Sequence, residues 1–253
     1  MKCDCNNLKC SRYSRSDPSS PSTITELKTP RRINYGGDDS SVSGHLAIDR
    51  VEFSDIIIEN QLLGLVDCES SSLDGVVDGV FGLGFLDLSA LALEDLKAAE
   101  TRAKSLISNT VLTSLLTHEL IPAPVFGVWL GNGGDGSSSS TDPNAGDGEF
   151  IFGSIDTSRY VGDLTFLSIT HRKYWQAKVD GVKMDKNSDL AISGDTIIDT
   201  GTTLLVMPIT QAKQVNRAIG TTSDPWEHWI LPCNSNSKGT LDFEMGGSTF
   251  SVR

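Results

Sequence analysis

Short apolar runs separated by Gly, Ser, Asn and Asp dominate the chain and predict a mainly β protein. Residues 32–35 lead into a polar, glycine-containing turn at 36–40, and a return strand over about residues 42–51 completes a predicted hairpin. Two more apolar segments, residues 56–58 and 62–66, are each predicted to form a strand.

The pattern changes to helical spacing between residues 93 and 120. Leu112, Leu115 and Leu116 are predicted on one face of that helix, with Asn109 as its N-cap. A second helical segment is expected near residues 210–219, within a C-terminal region that otherwise returns to strands. Residues 131–148 are low in complexity and are interpreted as a solvated loop, because their acidic and amide side chains do not follow the ligand order of an EF-hand.

Residues 197–206 read Ile-Ile-Asp-Thr-Gly-Thr-Thr-Leu-Leu-Val and place one carboxylate, Asp199, on a glycine turn between two predicted apolar strands. Gly201 permits a tight reversal of the chain. The hydroxyl groups of Thr200 and Thr202 are able to hydrogen-bond the carboxylate and the neighbouring backbone. This arrangement is typical of the way in which an aspartic peptidase presents a catalytic Asp.

Aspartic peptidase chemistry needs two carboxylates. Two Asp side chains about 3 Å apart cannot both ionise, so they share a proton; one then activates a water molecule while the other protonates or polarises the scissile carbonyl. The sequence contains one Asp-Thr-Gly, at Asp199, and no Asp-Ser-Gly. A second carboxylate has to be accounted for before activity is assigned.

The composition excludes several function classes. A chain of 253 residues is long enough for one large β unit or two lobes. Its net charge of −12 disfavours nucleic acids and anionic membranes as partners. No apolar stretch reaches the roughly 18 residues of a membrane span, and no apolar segment of a signal peptide follows Met1.

Other catalytic chemistries have no supporting motif. The four histidines are far apart and none belongs to a His-Glu-x-x-His pair, so no metal site is predicted. No Gly-x-Ser-x-Gly elbow of a serine hydrolase is present.

Five cysteines in a chain of this length do not form a disulfide scaffold. Cys5 and Cys10 bracket a four-residue loop that one bridge would pin, whereas Cys3, Cys68 and Cys233 lack obvious partners. Free thiols, or a zinc site that includes Cys3, are the alternatives. No second pair of ligands at finger-like spacing supports zinc.

The order of these features resembles the pepsin-like aspartic peptidases over nearly the whole chain. The matching segments, in order, are Cys5-x4-Cys10, the flap strand at residues 33–36, the strand after the flap at 41–51, Asp-Gly-Val-Phe-Gly-Leu-Gly at 78–84, the helix and strand at 110–130, the crossing at 152–160, and Tyr174-Trp175-Gln176 before the Asp-Thr-Gly.

The resemblance implies a bilobal β fold with a cleft between the lobes and a few short helices. Residues 1–154 would form the N-terminal lobe with the flap, and residues 155–253 the C-terminal lobe with the Asp-Thr-Gly. In this family the first Asp-Thr-Gly lies about a dozen residues before the Cys-x4-Cys loop, which here falls upstream of Met1. The family's closing strands do not follow Arg253, so we expect a fragment incomplete at both ends.

The resemblance also assigns roles. Asp199 would be the second catalytic Asp, supported by Thr200, Gly201 and Thr202. The flap and substrate-binding positions would be Tyr35, which covers the substrate, with Gly36, Asp38, Val80 and Tyr174. The flap departs from the family pattern, because Tyr35-Gly36-Gly37-Asp38-Asp39-Ser40 is longer by one residue.

The predicted function is therefore an aspartic-type endopeptidase that acts on peptide or protein substrates as a monomer, without a metal or an organic cofactor. The resemblance and the Cys5-to-Cys10 loop indicate a secreted protein or one of an acidic vacuolar or lysosomal compartment.

Two alternatives come from different classes. The first is a non-catalytic relative that binds peptides in the cleft. The second is a homodimeric, retroviral-like peptidase, which fails on order: its flap would follow the Asp, whereas here the flap segment precedes Asp199.

Overall fold

The computed structural model describes residues 23–35, 41–69, 79–88, 110–131, 148–202, 204–223, 229–231 and 239–252. The described part is mainly β, as predicted. Backbone contacts divide the chain into two units, the first made of residues 1–128 and 149–155, the second of residues 129–148 and 156–253. No helix among the described residues is long and apolar enough to cross a membrane.

The first unit is built on a three-stranded antiparallel sheet in the order β1-β2-β3. Its strands are β1 (Thr25–Asn34), β2 (Ser41–Phe53) and β3 (Ile56–Glu69). Asn34 pairs with Ser41 across the first hairpin, which confirms the hairpin predicted around residues 36–40.

The two segments predicted as separate strands, residues 56–58 and 62–66, form one strand. The register between β2 and β3 shifts between Asp49 and Val51, and Asn60 has a left-handed backbone (φ 57°) at that place. The polar residues that indicated a strand end therefore form a β-bulge, which bends a strand without ending it.

The middle of β2 and the facing part of β3 supply the apolar core of this unit. Leu46, Ala47, Ile58 and Leu62 are buried there. Below β3 lies helix α1 (Val111–Thr117), in which Leu115 is fully buried and Ser114 donates a hydrogen bond to Gln61 of β3 at 2.8 Å.

Two details of the predicted helix are wrong. The N-cap is Thr110, whose hydroxyl accepts a hydrogen bond from the Thr113 amide at 3.2 Å, because Thr110 has the extended backbone that a cap requires. Leu116 is 45% exposed, since residues one position apart point about 100° away from each other on a helix. Asn109 lies outside the described residues.

A smaller aromatic cluster completes the first unit. Strands β4 (Phe126–Trp129) and β5 (Glu149–Phe152) pair with each other, which confirms the strand predicted before residue 130. The Phe53 ring lies 5.1 Å from Phe81 and 5.4 Å from Phe152, measured between centroids. These rings join the segment at 79–88, which ends in the 3₁₀ turn Leu86–Leu88, to the main sheet.

The second unit begins with the 3₁₀ turn Thr157–Arg159 and contains a four-stranded sheet in the order β13-β12-β7-β8 and a pair formed by β6 and β9. The strands are β6 (Gln176–Val179), β7 (Gly181–Met184), β8 (Ser188–Asp189), β9 (Gly194–Ile197), β12 (Leu241–Met245) and β13 (Ser248–Val252), with a short pair of β10 (Thr222–Ser223) and β11 (Trp229–Ile230).

Side chains from these strands and one helix form the core of the second unit. Helix α2 (Ile209–Ile219) buries Val215 and ends at Gly220, whose left-handed backbone (φ 84°) caps it. This confirms the helix predicted near residues 210–219. The buried apolar members of the core are Ala177, Val179, Val182, Met184, Leu190, Ile192, Val215, Leu241 and Met245.

A buried carboxylate secures one turn of this sheet. Asp242 is fully buried and accepts hydrogen bonds from the Lys186 amide at 2.7 Å, the Thr240 hydroxyl at 3.1 Å and the Ser251 hydroxyl. Lys186 has a positive φ of 65°, which is costly for a residue with a side chain. The hydrogen bond from its amide to Asp242 offsets that cost.

Candidate active site

Strand pairing positions Asp199. In β9, Ile197 pairs with Gln176 of β6, and the Ile198 amide then donates a hydrogen bond to the Trp175 carbonyl at 2.8 Å. The regular strand ends at Ile197, two residues before Asp199. The carboxylate therefore stands on the turn that follows a strand, as the sequence predicted.

Both oxygens of the Asp199 carboxylate accept hydrogen bonds from the turn. The Gly201 amide donates to Oδ1 at 2.9 Å, and the Thr202 hydroxyl donates to Oδ2 at 2.6 Å. Thr200 forms the corner between them, and the Thr202 amide approaches the Asp199 carbonyl at 3.4 Å. Because the side chain is exposed, its remaining lone pairs can accept hydrogen bonds from a water molecule or a substrate.

Gly201 has a steric reason to be glycine. A Cβ atom at this position would lie 3.2 Å from Oδ1 of Asp199, which is tighter than ordinary van der Waals contact. The absence of a side chain therefore allows the carboxylate to fold back over the turn and to reach the backbone amide.

The strand predicted before this turn is present but exposed, and the described residues 204–208 do not form the strand predicted after it. Among the described residues β9 pairs only with β6, and the apolar segment after the turn joins no strand. Pro208 stands at the N-cap of α2. The flanking apolar side chains are between 50% and 83% exposed, namely Ile197, Ile198, Leu204, Leu205 and Val206.

Tyr174 immediately precedes Trp175, whose carbonyl accepts the hydrogen bond from Ile198 next to Asp199. Tyr174 belongs to a turn, and the strand begins at Gln176, whose amide donates a hydrogen bond to the Tyr174 carbonyl at 2.8 Å. Trp175, the next residue, pairs with Ile198. Tyr174 and Asp199 thus belong to neighbouring stretches of the second unit.

Thr170 holds this turn closed, a role that the sequence did not reveal. The Thr170 amide donates to the Gln176 carbonyl at 3.0 Å, and the Gln176 side chain donates back to the Thr170 hydroxyl at 2.9 Å. A lone Thr six residues before a strand carries no recognisable motif, so only the structure could identify it.

The flap and pocket positions of the first unit are partly described. Tyr35 directly follows β1 and is 38% exposed, and partial burial raises the pKa of its phenol above the ordinary value of 10.0. Val80 is exposed. Gly36 and Asp38 lie outside the described residues, so their roles stay predictions.

The predicted pairing of Cys5 with Cys10 also falls outside the described residues. Cys68, on β3, is disulfide-bonded, so the free-thiol interpretation is wrong for this residue. Within the described ranges, no group of three or more His, Cys, Asp or Glu side chains is placed to hold a metal ion.

A family model described as eukaryotic aspartyl protease matches residues 1–253. Rhizopuspepsin-4 of Rhizopus niveus is 34% identical over 238 residues, which are 93% of this chain and 54% of that protein. A probable vacuolar protease A of Arthroderma benhamiae is 26% identical over 252 residues, 98% of this chain and 57% of that protein. The chain thus spans about half the length of these relatives.

Solved structures share the fold. The crystal structure of an aspartic proteinase from Irpex lacteus superposes on this chain with a TM-score of 0.74. The matched region covers 94% of this chain and 66% of the Irpex lacteus chain. Its sequence identity is 24%, so it supports the predicted fold class and carries no residue-level role.

Proposed function

The chain belongs to the eukaryotic aspartyl protease family, and from this premise we propose that Asp199 is one of the two carboxylates with which an aspartic-type endopeptidase activates water. The observation that carries the proposal is the Asp199 turn. Gly201 and Thr202 each hold one carboxylate oxygen, while the exposed side chain keeps lone pairs available.

The second carboxylate, in this proposal, comes from a segment outside the 253 residues. The two Asp side chains would share a proton, so that one removes a proton from the attacking water while the other donates to the carbonyl oxygen. Since the pair titrates as a unit, hydrolysis would be fastest in acid. No cofactor takes part.

The same proposal assigns the residues that bind the substrate. Residues 1–154 and 155–253 would be the two lobes of the enzyme. An extended peptide would lie under the flap, covered by Tyr35, Gly36 and Asp38. Val80 and Tyr174 would contribute to side-chain pockets, which favours apolar residues next to the cleaved bond. Substrate binding would order the flap over the reacting atoms.

The test compares the 253-residue chain with the full-length gene product that contains it. We expect the full-length product to cleave an unfolded protein at acidic pH, and a statine-type inhibitor to block it. Asp199→Asn should remove the activity, whereas Asp195→Asn, at an exposed position on β9 before the turn, should retain it. The 253-residue chain should be inactive at every pH.

Two results would contradict the proposal. Acid cleavage by the 253-residue chain, blocked by the inhibitor and lost in Asp199→Asn, would show that no outside carboxylate is needed. A full-length product that binds peptides without cleaving them would support the non-catalytic alternative.

We propose a secreted or acidic vacuolar protein that works as a monomer, with a Cys5–Cys10 bridge formed in an oxidising compartment. The support is the acidic composition, with a sequence pI near 4.7, and a relative whose name places it in the vacuole. Peptide mapping under non-reducing conditions would detect the bridge.

A further inference from the structure

His45 lies on the central strand of the first unit, between two carboxylates on the neighbouring strands. Its Nδ1 atom lies 3.2 Å from Oδ2 of Asp67 on β3, and its Nε2 atom lies 3.5 Å from Oε2 of Glu26 on β1. One imidazole ring therefore connects all three strands of the sheet.

Irregularities in the sheet direct both carboxylates toward the ring. Pro30 and Leu65 are the residues directly opposite His45 on the neighbouring strands. On β3, Asp67 is the extra residue where the register shifts next to Gly44, and on β1 the register shifts just after Glu26. Bulges of this kind re-aim side chains, and here two of them converge on one histidine.

The protonation state of the ring decides whether both contacts are favourable. A neutral imidazole carries one N–H and one lone pair, so in either tautomer one nitrogen presents a lone pair to a carboxylate. Imidazolium has two N–H groups and can donate to Asp67 and point its second donor at Glu26. The Nε2 atom is buried and has no hydrogen-bond partner. In the charged ring this nitrogen carries a proton and forms an ion pair with Glu26, which compensates for its burial.

The neighbouring charged groups of β1 and β2 have hydrogen bonds of their own. On the same face of β1, Arg32 bonds Asn34 at 3.4 Å and Ser41 at 3.1 Å, away from the ring. Arg31, paired with Gly44, points to the opposite face and bonds the Pro30 carbonyl at 3.0 Å. On β2 itself, Asp49 accepts a hydrogen bond from the Arg50 amide at 2.8 Å. Among the described ion pairs of His45, both partners are acidic.

We propose that Glu26, His45 and Asp67 form a proton-operated clasp that tightens the three-stranded sheet in mildly acidic solution and loosens it when His45 loses its proton. The clasp is complete when the ring carries a proton and both carboxyl groups have lost theirs, a combination that belongs to mildly acidic solution. Because β1 leads directly to Tyr35, the clasp also sets how firmly that hairpin is held. The proposal goes beyond the peptidase function and does not depend on it.

Hydrogen exchange of the 253-residue chain tests the clasp. After correction for intrinsic exchange rates, amides of β1 to β3 should exchange about threefold faster at pH 8.0 than at pH 5.5, because each partly exposed ion pair contributes little by itself. His45→Gln should lose this pH dependence and exchange at the faster rate at both pH values. The matched control His118→Gln, at an exposed position of the same unit, should behave as the wild type.

A second variant keeps the proposal testable if His45→Gln does not fold. Glu26→Gln combined with Asp67→Asn retains the histidine and should also abolish the pH dependence, while NMR of the wild-type imidazole should show a charged ring at pH 5.5. The proposal is overturned if either variant keeps the wild-type pH dependence, or if the ring is neutral at pH 5.5.

Discussion

Asp199 is oriented by its own turn, since its two donors come from the residues two and three positions later. Such a local arrangement can form as soon as the turn closes, without help from distant parts of the chain. The Asp-Thr-Gly-Thr sequence is therefore sufficient to predict the geometry of this carboxylate. Thr202 matters in it through its hydroxyl, and Gly201 through its lack of a side chain.

Replacing Thr202 separates these contributions. Thr202→Val keeps the shape of the side chain and removes the donor to Oδ2, so the carboxylate loses one of its two restraints. We expect kcat/KM of the full-length product to fall about fivefold to tenfold, the effect of about 1 to 1.4 kcal/mol from one hydrogen bond to a charged group at an exposed site. Thr202→Ser, which retains the hydroxyl, should stay near the wild-type value. Equal activity of the Val and Ser variants would show that the hydroxyl does not orient Asp199.

Among the elements, the short helix α1 shows how packing selects one face. Its seven residues place Leu115 in the core and Ser114 against Gln61 of β3, while Leu116 remains exposed. The sequence predicted all three leucines of this segment on one face. A leucine pattern alone cannot distinguish adjacent positions when a helix has only two turns, because the direction of the sheet decides which side chain is covered.

Two alanine substitutions test this assignment. Leu115→Ala should lower the free energy of unfolding by about 2 to 5 kcal/mol, since it leaves a cavity at a fully buried site. Leu116→Ala should cost less than about 1 kcal/mol, because most of the effect of such a truncation comes from lost burial. Urea denaturation followed by fluorescence measures both. Similar losses for the two variants would contradict the orientation of α1.

At the scale of the whole molecule, the acidic charge and the protonation of a few groups determine how the protein responds to pH. The net charge of −12 decreases in magnitude as carboxylates are protonated, which reduces self-repulsion in mild acid. One carboxylate in the second unit, Asp242, is harder to protonate than an ordinary Asp. The hydrogen bond from Ser251, followed by those from Lys186 and Thr240, lowers the pKa of Asp242 below 3.8.

The sign of this effect is set by linkage. The pKa of Asp242 is lower in the folded state than in the unfolded chain. The ionised carboxylate therefore stabilises the fold at pH values above the unfolded-state pKa, and this stabilisation is lost as the pH falls through the folded-state pKa. We expect Asp242→Asn to lower the urea midpoint clearly at pH 6, and the loss to shrink as the pH falls through the folded-state pKa of Asp242, because the wild-type carboxyl group then becomes neutral as well. Asp163→Asn, an exposed control in the same unit, should change the midpoint little over the same pH range. A loss for Asp242→Asn that does not shrink in acid would contradict the proposed role of the charge.

Lys183 responds in the opposite direction. Its hydrogen bond with Glu244, at 2.5 Å, raises the pKa of the ammonium group. The charged Lys183 therefore stabilises the fold at pH values below the ordinary lysine pKa of 10.5, and this stabilisation is lost as the pH rises through the folded-state pKa. Both effects leave the second unit most stable between the acid and the alkaline limits.

The sequence by itself determined the features that depend on neighbours along the chain. The hairpin of β1 and β2, helix α2 and the Asp199 turn follow from alternation, helical spacing and glycine positions, and the order of motifs identified the family. Tertiary structure decided which apolar residues are covered. Ile198 and Leu205 have the composition of buried strands, yet they are exposed, because burial depends on segments that pack from elsewhere. Tertiary structure likewise joined two predicted strands into β3 and brought Glu26 and Asp67 to His45. A bulge and a pairing register are properties of the whole sheet, so one strand's sequence does not determine them.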